Sequence, residues 1–149
     1  MTVFCDTSVL VAACLRQHPH YERARPLLEA VAGRKETGLI SAHSLAEAFS
    51  ALTSVPLLPR ILPSQAREIV STNIQRHFKS IAITAEMYER AIEACAGRGL
   101  GGGKVYDALL LECARESQAE RIYTFNLKSF PPERGPRTVR VWRDRQGRR

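Results

Sequence analysis

The stretch VFCDTSVLVAA, residues 3–13, sets the architecture of this 149-residue chain. Three apolar residues suit a short buried strand, and an apolar run resumes after the polar residues Asp6, Thr7 and Ser8. Since Ser and Thr are common at helix starts, Thr7 or Ser8 is predicted to cap a helix over 9–15. The stretch therefore predicts a strand, a tight turn and a helix, with the carboxylate of Asp6 at the end of the strand.

The same alternation continues along the chain. Apolar segments predict strands at 39–40, 81–83, 121–124 and 138–142, and helical periodicity predicts helices at 20–32, 44–53, 64–77, from 84 onward and at 105–117. Ser64 and Thr84 are the expected caps of the helices that they begin. Because short strands that alternate with helices form parallel crossover units, the predicted fold is a three-layer α/β/α sandwich with a short-stranded, mostly parallel central sheet. Residues 1–143 are expected to form a single domain, and 144–149 a basic, disordered tail.

The composition is that of a folded globular protein, with 44% hydrophobic and 25% charged residues. No apolar run approaches the roughly 18 residues of a membrane-spanning helix. The apolar start contains an Asp and has no preceding basic residue, unlike a secretory signal, so a cytoplasmic location is expected. The cysteines form no CxxC pair, and we expect small buried thiols rather than disulfides or zinc ligands at Cys5, Cys14, Cys95 and Cys113.

The formal net charge of +7 is concentrated near the C-terminus. Residues 133–149 contain seven Arg against two acids, Glu133 and Asp144. A basic segment of this kind attracts polyanions such as RNA, but it also improves solubility. The charge therefore leaves open both a nucleic-acid contact and a solvated end.

Two of the three aspartates lie in apolar surroundings, where an unpaired charge is costly. Asp6 ends the first strand, and Asp107 interrupts the apolar helix VYDALLLECA. Asp6 could act as a helix cap, and Asp107 could be satisfied by the dipole and free N–H groups of its helix start. Both are also candidate ligands of a cation.

Two further side chains have oxygen donors that a hard cation could use. Glu47 lies opposite the predicted apolar stripe of Leu45, Phe49 and Leu52, and on its position alone it would be an ordinary solvated glutamate. Asn126 follows the strand predicted at 121–124, and a turn role through a backbone hydrogen bond is equally consistent with its position.

Taken together, four segments resemble the PIN-domain family, and within it the VapC-type toxins. They are DTS at 6–8, the helix that carries Glu47, YDA at 106–108 and TFN at 124–126, and they occur in the family's order over residues 3 to about 130. The resemblance implies that Asp6, Glu47 and Asp107 bind Mg²⁺ or Mn²⁺. Many PIN domains have Asp where this chain has Asn126, which lowers the charge of the site and makes a second metal less certain.

The resemblance also implies an activity and partners. It implies a metal-dependent endoribonuclease that leaves a 5′-phosphate and a 3′-hydroxyl, with Asn126 in the site and the hydroxyls of Thr7, Ser8 and Thr124 orienting the carboxylates. A lone PIN domain of this length resembles the toxin of a toxin–antitoxin pair. A homodimer, an RNA substrate and a cognate antitoxin protein are therefore expected.

Other motifs are weaker. The glycine-rich segment 97–104 lacks the spacing of a phosphate-binding loop and follows a predicted helix, so it is expected to be a connection. Ser8 stands where a haloacid-dehalogenase-like phosphatase would have a second Asp. The pair His18 and His20 flanks a proline and has no neighbouring acid, which favours a loop over a metal site.

A different class of function also fits the composition. In this alternative the chain is a non-catalytic RNA-binding or scaffold module, its acids are structural, and the basic segment 137–149 binds phosphates.

Overall fold

The computed structural model describes residues 1–126 and 140–141. Five strands form one sheet, in the order β3-β2-β1-β4-β5, and all of its neighbouring pairs are parallel. The strands are β1 (Thr2–Cys5), β2 (Thr37–Ser41), β3 (Lys79–Ile81), β4 (Arg121–Tyr123) and β5 (Arg140–Val141). The helices are α1 (Thr7–Cys14), α2 (Tyr21–Ala32), α3 (Ala42–Ser54), α4 (Pro63–Ile69), α5 (Ala85–Gly97) and α6 (Lys104–Glu116), and a π-helical segment (Val70–Gln75) continues α4.

Successive residues of the strands enter two separate cores. On one face, Val3 and Ile40 pack with residues of α1, α2, α3, α4 and the π-helical segment. On the other face, Phe4, Leu39 and Ile122 pack with α6, and α5 packs in turn against α6. Since alternate residues of a strand point to opposite faces, β1, β2 and β4 each contribute to both cores. This arrangement confirms the predicted three-layer α/β/α sandwich.

The connections bring several helix starts to one edge of the sheet. In a parallel sheet, all strands end at the same edge, and α1 and α3 begin directly after β1 and β2. Helix α6 precedes β4, so it runs back across the sheet and also begins at the carboxyl edge. The first turns of three helices and the residues after β4 therefore lie at the edge where ligands bind in sheets of this kind.

Gly38 allows a close approach between β2 and the layer above it. A Cβ atom at this position would lie 2.5 Å from a ring carbon of Phe78 and 2.6 Å from a methyl carbon of Val31. Both neighbours are buried, so neither can move without disturbing the core. Only glycine fits here, and the sequence pattern did not signal this requirement.

Two of the predicted helix caps are wrong. Asp6, rather than Thr7 or Ser8, occupies the N-cap position of α1. Helix α4 begins at Pro63 after Leu62, whose backbone N–H donates to the side chain of Gln65, so Ser64 is inside the helix. Proline suits a first helical position because it has no N–H to leave unpaired.

The cap predicted for α5 is confirmed. The Thr84 hydroxyl accepts a hydrogen bond from the backbone N–H of Met87. Helix α3 begins earlier than predicted, because Ser41 is its N-cap and accepts from the N–H of His43. The predicted apolar stripe of α3 is partly wrong, since Phe49 is 39% exposed while Ala48 and Leu52 are fully buried.

The remaining predictions differ mainly in their bounds. The third strand ends at Ile81 rather than at Ile83. Of the strand predicted at 138–142, the part that the structure describes is β5, which lies beside β4 at the edge of the sheet. The predicted tail at 144–149 and most of the basic segment lie outside the described residues.

The cysteines and the lengths of the helices complete the description of the fold. All four cysteines are free, as predicted, and three of them are buried. Within the part of the chain that the structure describes, no helix is long and apolar enough to cross a membrane.

Candidate active site

Asp6 is the most buried acid at the carboxyl edge, with 8% of its surface exposed. Its backbone carbonyl accepts from the N–H groups of Val9 and Leu10 and so begins α1. Its carboxylate makes no capping hydrogen bond. The side chain instead points to the end of β4, so the alternative in which this carboxylate serves as a helix cap is wrong.

The carboxylate of Asp6 is held by two hydroxyl groups. Its Oδ2 accepts hydrogen bonds from Ser8 Oγ at 2.8 Å and from Thr124 Oγ1 at 2.7 Å. Thr124 is 1% exposed and lies 118 residues away in the sequence. Among residues 1–126, no Lys, Arg or His side chain forms an ion pair with Asp6. A buried carboxylate that is held by neutral donors keeps its negative charge available to a cation.

The residues after β4 complete this network through their backbone. Phe125 N–H donates to Ser8 Oγ at 3.2 Å, and Asn126 N–H donates to Thr124 Oγ1 at 2.9 Å. The turn at 124–126 is thereby fixed against the start of α1. Asn126 enters the site through its backbone N–H, and its side chain is exposed.

Glu47, which lies on α3, is hydrogen-bonded to the start of α1. Thr7 Oγ1 donates to Glu47 Oε2 at 2.5 Å, and His43 Nε2 lies 3.5 Å from Glu47 Oε1. Each carboxylate oxygen therefore faces a different side chain. About a third of the Glu47 side chain is exposed, so the carboxylate is neither fully solvated nor buried. Sequence reasoning did not assign a role to His43, although its spacing of four residues from Glu47 on a helix signals a contact.

Asp107 occupies the first turn of α6, as expected, but it faces a different partner. Its Oδ2 lies 4.0 Å from Lys104 Nζ, and a quarter of its side chain is exposed. Across the described ranges, no three His, Cys, Asp or Glu side chains are close enough to bind one ion together. The structure thus joins Asp6 and Glu47 to adjacent hydroxyls of α1 and places Asp107 at the same edge without direct contact.

The cysteine next to Asp6 does not add a reactive group. Burial raises the pKa of the Cys5 thiol, and the carboxylates of Glu36 and Asp6 raise it further. Burial also raises the pKa of Cys113 to about 11. Both groups are therefore neutral thiols at physiological pH, and the chemistry at this edge belongs to oxygen ligands.

The fold and these side chains define a class of protein, a parallel α/β domain with carboxylates and hydroxyls at the carboxyl edge of its sheet. Oxygen donors of this kind suit a hard divalent cation, which commonly also binds phosphate oxygens. The PIN domain family model matches residues 3–130, which is most of the chain. The chain therefore belongs to the PIN-domain family.

Individual relatives agree with this assignment. The chain is 30% identical over 115 residues to ribonuclease VapC27 of Mycobacterium tuberculosis. The aligned region covers 77% of this chain and 78% of the relative. The solved structure of VapBC2 from Rickettsia felis, bound to a DNA fragment of its promoter, is similar in fold, with a TM-score of 0.65 and 21% identity over 96% of this chain and 100% of that one.

Two further solved structures share the fold. VapC20 of Mycobacterium tuberculosis, a sarcin-ricin loop cleaving toxin, has a TM-score of 0.66 and 19% identity, with 85% of this chain and 92% of that chain covered. The FitAcB structure from Neisseria gonorrhoeae has a TM-score of 0.63 and 16% identity, over 86% of this chain and 90% of that one. At these identities the similarity establishes the fold alone.

Proposed function

We propose that this chain is a metal-dependent endoribonuclease and the toxin of a toxin–antitoxin pair. The observation that carries the proposal is the environment of Asp6, which is buried, held by two hydroxyls and has no basic partner among the described residues. A charge in this position is stabilised when a cation binds beside it. The 30% identity to a ribonuclease of the VapC type supports an RNA substrate.

Asp6, Glu47 and Asp107 would hold the cation, Mg²⁺ or Mn²⁺, after a movement that brings their carboxylates closer together than they lie in this structure. All three have carboxylate oxygens at one edge, and among the described residues Asp107 is paired only with the half-exposed Lys104. A surface ion pair of this kind contributes about 0–1 kcal/mol, so a divalent cation can compete for Asp107. When bound, the cation supplies an activated water and offsets the charge that develops on the phosphodiester during hydrolysis.

The chain's own hydroxyls position the carboxylates. Ser8 and Thr124 fix the direction of Asp6, and Thr7 fixes one oxygen of Glu47. Orientation of ligands by such hydrogen bonds typically changes metal affinity or activity by about 10–100-fold. The amide oxygen of Asn126 is available to bind the cation or a water beside it. The expected products carry a 5′-phosphate and a 3′-hydroxyl.

The proposed partner is an antitoxin protein that covers the acidic edge. The solved structures of VapBC2 and FitAcB, which share this fold, support a partner of this kind. We also propose that the chain acts as a homodimer in the cytoplasm, as the family resemblance implies.

The test is cleavage of a mixed RNA pool by the purified chain with Mn²⁺ or Mg²⁺, beside a reaction in EDTA. The Asp6→Asn variant should lose cleavage, whereas Glu93→Gln, which changes an exposed acid on α5, should cleave like the parent. Calorimetry should show weaker Mn²⁺ binding to Asp6→Asn. Cleavage that persists in EDTA or in Asp6→Asn would contradict the proposal, and RNA binding without cleavage would favour the scaffold alternative.

A further inference from the structure

Three rings and one guanidinium group lie close together beside the candidate active site. The ring of His20 stacks on Phe125, with centroids 4.5 Å apart and an angle of 26° between the planes. The guanidinium carbon of Arg23 lies 5.4 Å from the centre of the Phe125 ring. His18 lies on the other side of Pro19, with its ring 5.7 Å from that of His20.

This cluster, composed of His18, His20, Arg23 and Phe125, is tied to the carboxylate of Asp6. Phe125 N–H donates to Ser8 Oγ, which in turn donates to Asp6 Oδ2. Two hydrogen bonds therefore separate the backbone of Phe125 from the proposed cation ligand. The cluster therefore adjoins the candidate active site through the backbone of Phe125.

The loop between α1 and α2, which carries His18 and His20, is fixed by a hydrogen bond of its own. The N–H of His20 donates to His18 Nδ1 at 3.1 Å, and this bond fixes the two imidazoles relative to each other. Burial lowers the pKa of His18, and the neighbouring His20 lowers it further. The cluster thus combines three rings with the permanent positive charge of Arg23.

A cavity of about 210 Å³ opens next to these side chains. Arg23 and Phe125 form part of its wall, and most of the remaining lining is apolar and comes from α1, α2 and β4: Val9, Ala24, Pro26, Leu27, Ala30 and Tyr123, together with Glu36. A flat apolar ligand gains from leaving water in such a place, while a polar group at its rim sets its orientation.

We propose that this cluster and the adjoining cavity form a nucleotide subsite that receives one unpaired base of the RNA next to the phosphate that is cleaved. The base stacks on the face of the His20 ring that does not contact Phe125 and so extends the His20–Phe125 stack, and Arg23 contacts the adjacent phosphate. Proteins that bind single-stranded RNA use aromatic rings and Arg in this way, because every base has a stacking face. The inference rests on the proposed function, since it takes RNA as the substrate.

The subsite favours unpaired RNA over a duplex. In a double helix the bases stack on one another and their faces are covered, so they cannot reach a ring on the protein. The cluster would therefore select loops, bulges or single strands from a structured RNA.

The test uses single-stranded RNA 12-mers that carry 2-aminopurine, whose fluorescence falls when the base stacks. Binding is measured in EDTA, so the readout does not need turnover. The parent chain should quench the probe, and Phe125→Leu and His20→Ala should each weaken binding about tenfold. His20→Phe, which keeps a ring, should bind like the parent, and the matching duplex should give no quenching.

Tyr88→Leu is the matched control, because Tyr88 is an exposed ring on α5, in the layer on the opposite face of the sheet. Phe125 also packs against a small core of α1 and α2, so thermal melting must show that Phe125→Leu is folded. His20→Ala is the second variant, since His20 precedes α2 and is not part of that core.

The outcomes separate the two proposals. Unchanged quenching and affinity in both His20→Ala and Phe125→Leu, with the parent cleaving RNA, would overturn the subsite and leave the nuclease intact. A parent chain that quenches the probe but cleaves no RNA with Mn²⁺ would support the subsite and overturn the nuclease. If the ring variants raise the KM for cleavage about tenfold while kcat changes little, both are supported.

Discussion

Two acids of the family's motifs lie at the carboxyl edge of the sheet in opposite environments. Asp6, between β1 and β4, is buried and held by hydroxyls from its own helix and from a distant strand end. Asp107, in the first turn of α6, is partly exposed and faces Lys104 of the same turn. The first environment is built by the sheet, and the second by local helix geometry. The proposed cation would therefore require little change at Asp6 and the breaking of an ion pair at Asp107.

The largest expected effect comes from removing the charge in either region. Asp6→Asn and Asp107→Asn should each lower the rate of RNA cleavage at least about a hundredfold, because a cation ligand contributes several kcal/mol to the transition state. Single-turnover cleavage with Mn²⁺ measures this effect. If Asp107→Asn kept more than about a tenth of the rate, Asp107 would not be a cation ligand and would only stabilise the start of its helix.

The next effect tests whether the sheet builds the Asp6 environment. Thr124→Val preserves the shape of the side chain but removes its hydrogen bonds with Asp6 and with Asn126 N–H. We expect a loss of about 1–3 kcal/mol in the free energy of unfolding, since buried groups are left unpaired. Cleavage should also fall by about 10–100-fold. Urea unfolding and cleavage assays measure the two losses.

A matched change should leave the stability nearly unaltered. Thr53→Val removes a hydroxyl that bonds only to carbonyls of its own helix on an exposed face of α3. If Thr124→Val and Thr53→Val had equal effects on unfolding and cleavage, the buried network would have no special role.

A smaller effect is expected at Glu47, whose environment lies between the two extremes. His43→Ala removes the contact with Glu47 Oε1 but leaves the one from Thr7. We expect Mn²⁺ affinity to fall by a few-fold, because one of two groups that orient the carboxylate is lost, while His43→Gln should recover part of the loss through its amide N–H. Calorimetric titration with Mn²⁺ checks this, and equal affinity in all three proteins would show that Thr7 alone positions Glu47.

The smallest effect is expected at Lys104, the residue that pairs with Asp107. Lys104→Ala should change the free energy of unfolding by less than about 1 kcal/mol, because its ion pair with Asp107 lies at the surface. Mn²⁺ should bind slightly more tightly to this variant, since the competing ammonium is gone. Weaker Mn²⁺ binding would instead indicate that Lys104 supports the acidic edge.

The sequence predicted the layers of the fold because its signals are local. The apolar runs, the polar break at Asp6 and the helical periodicity each depend on residues within a few positions of one another. The cap at Thr84 was predicted for the same reason. The errors also have physical causes: the direction of Asp6 depends on Thr124, and the need for Gly38 depends on Phe78, both of which are distant in sequence.

By itself, the sequence predicted the family and the candidate acids from the order of its short motifs, and the parallel α/β architecture from the alternation of strands and helices. Only the tertiary structure decided that the carboxylate of Asp6 accepts from the hydroxyls of Ser8 and Thr124 instead of capping its helix. The structure also decided that Asp107 pairs with Lys104 and that His20 stacks on Phe125. The reason is that secondary structure follows from neighbouring residues, whereas the direction of a polar side chain follows from whichever donors and acceptors the folded chain brings beside it.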